Sequence, residues 1–144
     1  MKKEIPNDAK LIAYLKPQWR WIGALQNDFA ARADWCVKEF NEANHAPVVQ
    51  VDSELTRDVS PGETVKLAAT ATDPDGNELM FQWWQYFEAD SAGATVTVGG
   101  SDSENEARFI APNEPGKQIH IILEVTDDGT PPLVGYQRII CNIK

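Results

Sequence analysis

The 144-residue chain holds two cysteines and two histidines. It has no long apolar run, and each scarcity closes off a class of function. Cys36 and Cys141 lack a CxxC neighbour and lack metal-ligand spacing, which excludes zinc sites and thioredoxin-like exchange. Near the N-terminus the longest apolar stretch is Leu11-Ile12-Ala13-Tyr14-Leu15, too short for a membrane span or for the core of a signal peptide. There is no Gly-x-Ser-x-Gly, no His-Glu-x-x-His and no phosphate-binding glycine loop. His45, before Ala46-Pro47, reads as fixing the start of the first strand, and His120 falls on an outward strand position. Asp28 and Asp34 lie about 240° apart round a helix, so they do not converge as an acid–base pair. Taken alone, the chain reads as a non-enzyme.

Positive charge is scarce where it would matter for anionic partners. Residues 1–45 carry seven Lys/Arg and six Asp/Glu, but residues 46–144 carry six and sixteen. So acidic a segment argues against nucleic acid and against anionic membrane surfaces, both of which need Lys and Arg to neutralise phosphate. Neutral glycans or cations remain as partners; otherwise the charge serves solubility alone.

What is abundant is turn chemistry between alternating runs. Val65, Leu67, Ala69 and Ala71 alternate with Lys66, Ala68 and Thr70, the period of a half-buried strand. Asp73-Pro74-Asp75-Gly76 then supplies a tight turn, and Leu79, Phe81 and Trp83 form an inward face. Similar punctuation recurs at Ser60-Pro61-Gly62, Gly99-Gly100, Asn113-Glu114-Pro115-Gly116 and Asp128-Gly129-Thr130-Pro131-Pro132. Seven strands follow, at about 47–52, 63–72, 78–87, 94–98, 106–111, 118–126 and 134–143. The sixth turns Ile119, Ile121, Leu123 and Val125 inward, and the seventh Ile139, Cys141 and Ile143.

Residues 1–45 read differently. Asn7 or Asp8 caps a short helix that Pro17 stops. Ile22, Leu25, Phe29, Ala33, Cys36 and Phe40 then form one apolar stripe of a second helix, with Trp19, Trp21 and Trp35 beside it. Both cysteines are expected buried and unpaired, in separate elements.

Thr70–Tyr86 resembles the Asp-Pro-Asp-Gly turn and Leu-x-aromatic-x-Trp strand of polycystic-kidney-disease-type repeats and bacterial cadherin-like modules. Leu123–Leu133 is similar to the last hairpin of the same modules, although Ile119 stands where they usually carry a Tyr. Trp19–Val37, followed by Asn44-His45-Ala46-Pro47-Val48-Val49, resembles the junction in a family of secreted bacterial proteins labelled cellulose-binding. That family joins a nucleoside-hydrolase-like N-terminal domain to a C-terminal immunoglobulin-like sandwich. The resemblance implies an all-β, seven-stranded immunoglobulin-like sandwich over residues 46–144, preceded by a helical arm, residues 1–45, that is the tail of a missing N-terminal domain. It also implies a secreted or periplasmic setting.

Two sites are expected. Trp84, Tyr86 and Tyr136 fall outward on one sheet with Ile122 and Ile140, as a platform for stacking polysaccharide, cellulose by the family label, unless the helix covers it. Asp73, Asp75 and Asp127 gather at one end near Asn44, with Glu78 and Asp128, as a possible calcium site or as plain turn formers. Two functions stand side by side: an accessory module that binds polysaccharide, and a structural domain that buttresses its own N-terminal hydrolase-like domain.

Overall fold

The structure, a computed structural model, describes residues 8–99 and 104–144. Helix α1 spans Asp8–Trp35, a short 3-10 turn spans Phe40–Glu42, and the strands follow as β1 Val48–Val51, β2 Thr56–Val59, β3 Thr64–Thr72, β4 Leu79–Gln85, β5 Glu106–Ile110, β6 Gln118–Asp127 and β7 Val134–Ile143. One sheet has the order β1-β3-β5 and the other β2-β7-β6-β4. Every pairing is antiparallel except β2 with β7, so the first edge of the chain changes sheets between Val51 and Thr56. This is the immunoglobulin-like sandwich that the family resemblance implies.

Alternation fills the core as the sequence pattern requires. Ile119, Ile121, Leu123 and Val125 of β6 and Ile139, Cys141 and Ile143 of β7 are buried between the sheets, facing Val65, Leu67 and Phe109. Leu79, Phe81 and Trp83 pack against this cluster from β4, and the Trp83 indole donates to the Glu104 carbonyl at 3.2 Å. His120 points outward, as expected, yet is buried under the segment after β4. Its backbone N–H donates to Asp90 at 2.6 Å while its ring nitrogens find no partner. Burial holds its pKa below the ordinary value, reinforced by Arg138 and opposed by Asp90.

Three expectations need correction. No strand occupies 94–98: Gln85 Oε1 accepts from the Val96 N–H at 2.7 Å, and only Gly99 bridges to Arg108. That segment crosses from one sheet to the other and packs Val96 and Val98 on the core without a ladder. Gly100 lies outside the described residues. The seventh strand is instead β2, whose Thr-Arg-Asp-Val pattern hides it because an edge strand buries only Val59. Pro17 does not stop the helix: α1 runs through it, one ladder bond short because proline has no N–H. Asn7 is also outside the described residues. Both cysteines are free, but Cys36 is exposed and only Cys141 is buried.

If the β6–β7 layer is the core, Leu123→Ala should cost about 2–5 kcal/mol of stability in a denaturant titration. Met80→Ala, on the exposed side of β4, should change it by less than about 0.5 kcal/mol.

Candidate functional site

The outward face of the four-stranded sheet carries Trp84 from β4, Glu124 from β6 and Tyr136 from β7, with Tyr86 just beyond β4. Register sets Glu124 opposite Tyr136 and Trp84 opposite Ile122. Trp21 of α1 enters this cup. Its ring centroid lies 5.7 Å from Trp84, 6.0 Å from Tyr86 and 5.1 Å from Tyr136, the two tyrosines being met edge-on. Such edge contacts set the positive ring rim against the negative face of its neighbour. Arg20 closes the cup, with its guanidinium 4.5 Å above the Trp84 ring and Nη2 2.7 Å from Glu88 Oε1. Burial raises the pKa of the Glu124 carboxyl, against hydrogen bonding with Trp84, the Arg20 charge and hydrogen bonding with Tyr136. Burial likewise pushes the Tyr136 hydroxyl up to about 12, with the Glu124 charge and hydrogen bond adding to it.

The rest of the same helix face fixes the docking. Asn27 Nδ2 donates to the Pro132 carbonyl at 2.9 Å, Ala31 is fully buried, and the Trp35 indole donates to the Asn44 carbonyl at 2.8 Å. The steps from Trp21 through Ala24, Ala31 and Trp35 follow the helical repeat. The helix therefore covers the aromatic sheet face, but not with the expected stripe. Ile22, Leu25, Phe29, Cys36 and Phe40 are exposed. An indole reaches into a deep aromatic cup that branched aliphatics cannot fill, and this selects the Trp21 face. Between helix and sandwich a groove of about 350 Å³ remains, lined by Trp21, Leu25, Asp28, Leu133 and Tyr136 among others.

The other expected site lies where the chain enters the sandwich. Asn44 is buried, donating from Nδ2 to Asp127 Oδ1 at 3.0 Å and to the Pro131 carbonyl at 2.9 Å, and accepting from Asn77 Nδ2 at 2.8 Å. A Cβ on Gly129 would run into the Asn44 carboxamide, so the loop needs glycine for this approach. His45 stacks between Trp35 and Phe40, with centroids 5.4 and 3.9 Å away, and its Nδ1 lies 3.1 Å from Asp75 Oδ1.

Asp73, Asp75 and Asp127 lie at one end of the sandwich, with Asp73 Oδ2 and Asp127 Oδ2 buried and without a hydrogen-bond partner among the described residues, while their other oxygens are engaged separately. Asp73 Oδ1 accepts from the Asp75 and Asn77 N–H groups, capping its own turn. Asp75 takes the His45 N–H and faces its ring. Asp127 Oδ1 takes Gly129 N–H, Leu133 N–H and Asn44. Among the described residues no three His, Cys, Asp or Glu side chains are placed to share a metal ion.

The family described as "Cellulose-binding protein Sde0182, C-terminal domain" matches residues 64–143, more than half of the chain. The chain belongs to this family. Among solved structures it is similar to a nucleoside hydrolase-related hypothetical protein from Saccharophagus degradans that is associated with carbohydrate metabolism. The two are 38% identical with a TM-score of 0.81, over 87% of this chain and 32% of that one. The chain thus spans about a third of the length of that relative. Likenesses to a chimeric titin Z1Z2 (16% identity, TM-score 0.39, covering 71% of this chain and 97% of that one) and to extracellular cadherin domains 3–6 of protocadherin gamma B2 (18%, 0.36, covering 69% and 24%) are too distant to bear on function. No curated protein matches the chain.

In this member of the Sde0182 C-terminal-domain family, Trp84, Tyr86 and Tyr136 do come together, as expected, with Trp21 among them. The partners missed by sequence reasoning are Arg20 and Glu124. The Trp-Arg-Trp triplet at 19–21 was the one available signal, since it placed a cation beside two indoles.

Two tests follow. Removing the Asn44 carboxamide strands buried partners, so Asn44→Ala should cost about 1–3 kcal/mol in thermal or urea unfolding. On the alkaline side, burial holds Tyr136 at about 12 against 10.0 and Cys141 at about 11 against 9.0. The folded chain keeps protons that the unfolded chain has released, so stability is complete below about pH 9 and is lost as pH rises through 11 and 12. Tyr136→Phe should remove the upper part of that decline in a pH series of melting temperatures.

Proposed function

We propose that the chain is a non-catalytic accessory module of a carbohydrate-associated protein, and that it serves as structural support for a nucleoside hydrolase-related domain in a secreted or periplasmic setting. The observation that carries this reading is Trp21 seated among Trp84, Tyr86 and Tyr136. A sugar-stacking platform needs those ring faces open, and the chain's own helix fills them. The Saccharophagus degradans relative is described as nucleoside hydrolase-related, and the two thirds of it outside the match leave room for the domain to be supported.

Polysaccharide binding is the second reading. It is favoured by the cellulose-binding description of the family and by Tyr136, which is 37% exposed at the mouth of the groove beside Trp21. Glycan binding there would use the Tyr136 ring and the Asp28 carboxylate rather than Trp84 and Tyr86.

Depletion from suspensions of insoluble cellulose separates the two. The supporting role predicts that the wild-type chain stays in the supernatant. Trp21→Ala should lower stability by about 1–3 kcal/mol, less than the loss of a fully buried tryptophan. Depletion of the wild-type chain that Tyr136→Ala abolishes would overturn the structural reading in favour of the glycan one.

A further inference from the structure

Helix α1 turns only one face to the sandwich. Opposite that face, Leu11, Ile12, Trp19, Ile22 and Phe29 form a seam open to solvent, with Trp19 53% and Phe29 75% exposed. Rings and aliphatic chains spaced by three and seven residues make the pattern of a packed helix, yet among the described residues none of the five is buried. The helix cannot roll to hide the seam. Trp21 in its cup, Asn27 on the Pro132 carbonyl and Trp35 on the Asn44 carbonyl fix its rotation along much of its length.

Resting on the supporting role above, we propose that this outer seam of α1 is the surface by which the chain docks onto the nucleoside hydrolase-related domain of the same polypeptide. Two observations select that occupant. The Saccharophagus degradans relative matches 87% of this chain, more than residues 46–144 can make up, so the match extends well into the helical arm. About two thirds of that relative lies outside the match, enough chain for a further domain. A helix with one face pinned to the sandwich and the other apolar is an adaptor between two rigid bodies.

Thiol labelling tests the seam directly. In a Cys36→Ser background, with Cys141 buried, Ile22→Cys and Phe29→Cys each give one reactive thiol on the seam. Lys117→Cys, an exposed position on the sandwich, serves as control. Labelling should be fast in the 144-residue chain. It should be at least about tenfold slower in the polypeptide that joins the chain to its nucleoside hydrolase-related domain, with the control unchanged. Equal seam rates in both would overturn the proposal. So would slowing in the chain alone that grows with its concentration, because that assigns the seam to a second copy. The supporting role fails separately: cellulose depletion tests it without reference to the seam, and unslowed labelling with no cellulose binding would overturn the seam alone.

Discussion

An indole set edge-on to two phenol rings, and tilted over a second indole, is the contact on which the relation of helix to sandwich depends. Half-burying a tryptophan removes about 100 Å² from water, worth about 2–3 kcal/mol at about 25 cal/mol per Å². The exposed Arg20–Glu88 and Lys16–Glu88 pairs contribute at most about 1 kcal/mol each, so they orient the helix more than they hold it. Glu124 beneath the rings adds direction. Trp84, Arg20 and Tyr136 favour the Glu124 carboxylate against the cost of its burial, and burial together with Glu124 keeps Tyr136 protonated.

The polar end of the sandwich works by satisfaction rather than by area. Asn44 leaves the helical arm and inserts its carboxamide between Asp127, Asn77 and the Pro131 carbonyl, so the last hairpin, the Asp73–Gly76 turn and the start of the sandwich are one network. Trp35 bonds to the carbonyl of that same residue, which couples the network to the C-terminal end of α1. One oxygen each of Asp73 and Asp127 serves as an acceptor for backbone N–H groups, and the buried Oδ2 of each meets no partner among the described residues. Accepting from backbone N–H groups is the commoner fate of aspartate in turns. The helix is thereby held at its middle by rings at Trp21 and at its C-terminal end by the Trp35 hydrogen bond. A rigidly mounted helix with an open apolar seam is what gives the accessory reading its mechanical sense.

Local chemistry made most of the sandwich legible. Inward apolar residues at every second position of 119–125 and 139–143, and the Asp-Pro-Asp-Gly turn with Gly76 at φ 77°, determined strand faces and turn positions before any long-range contact was known. The sequence also determined that Asp73, Asp75, Asp127 and Asn44 share one end, because strand count and turn spacing fix that. Tertiary structure alone decided four things. β2 exists through parallel pairing with β7, which leaves no alternation in four charged or polar-flanked residues. The helix continues through Pro17. It docks by the Trp21 face and leaves the more regular aliphatic stripe in water. And Asp75 bonds to His45 and Asp127 to Asn44, far back in the chain. In each case the deciding term is a partner distant in the chain, such as a sheet edge, an aromatic cup or a buried carboxamide, and periodicity along the chain carries no record of what lies opposite.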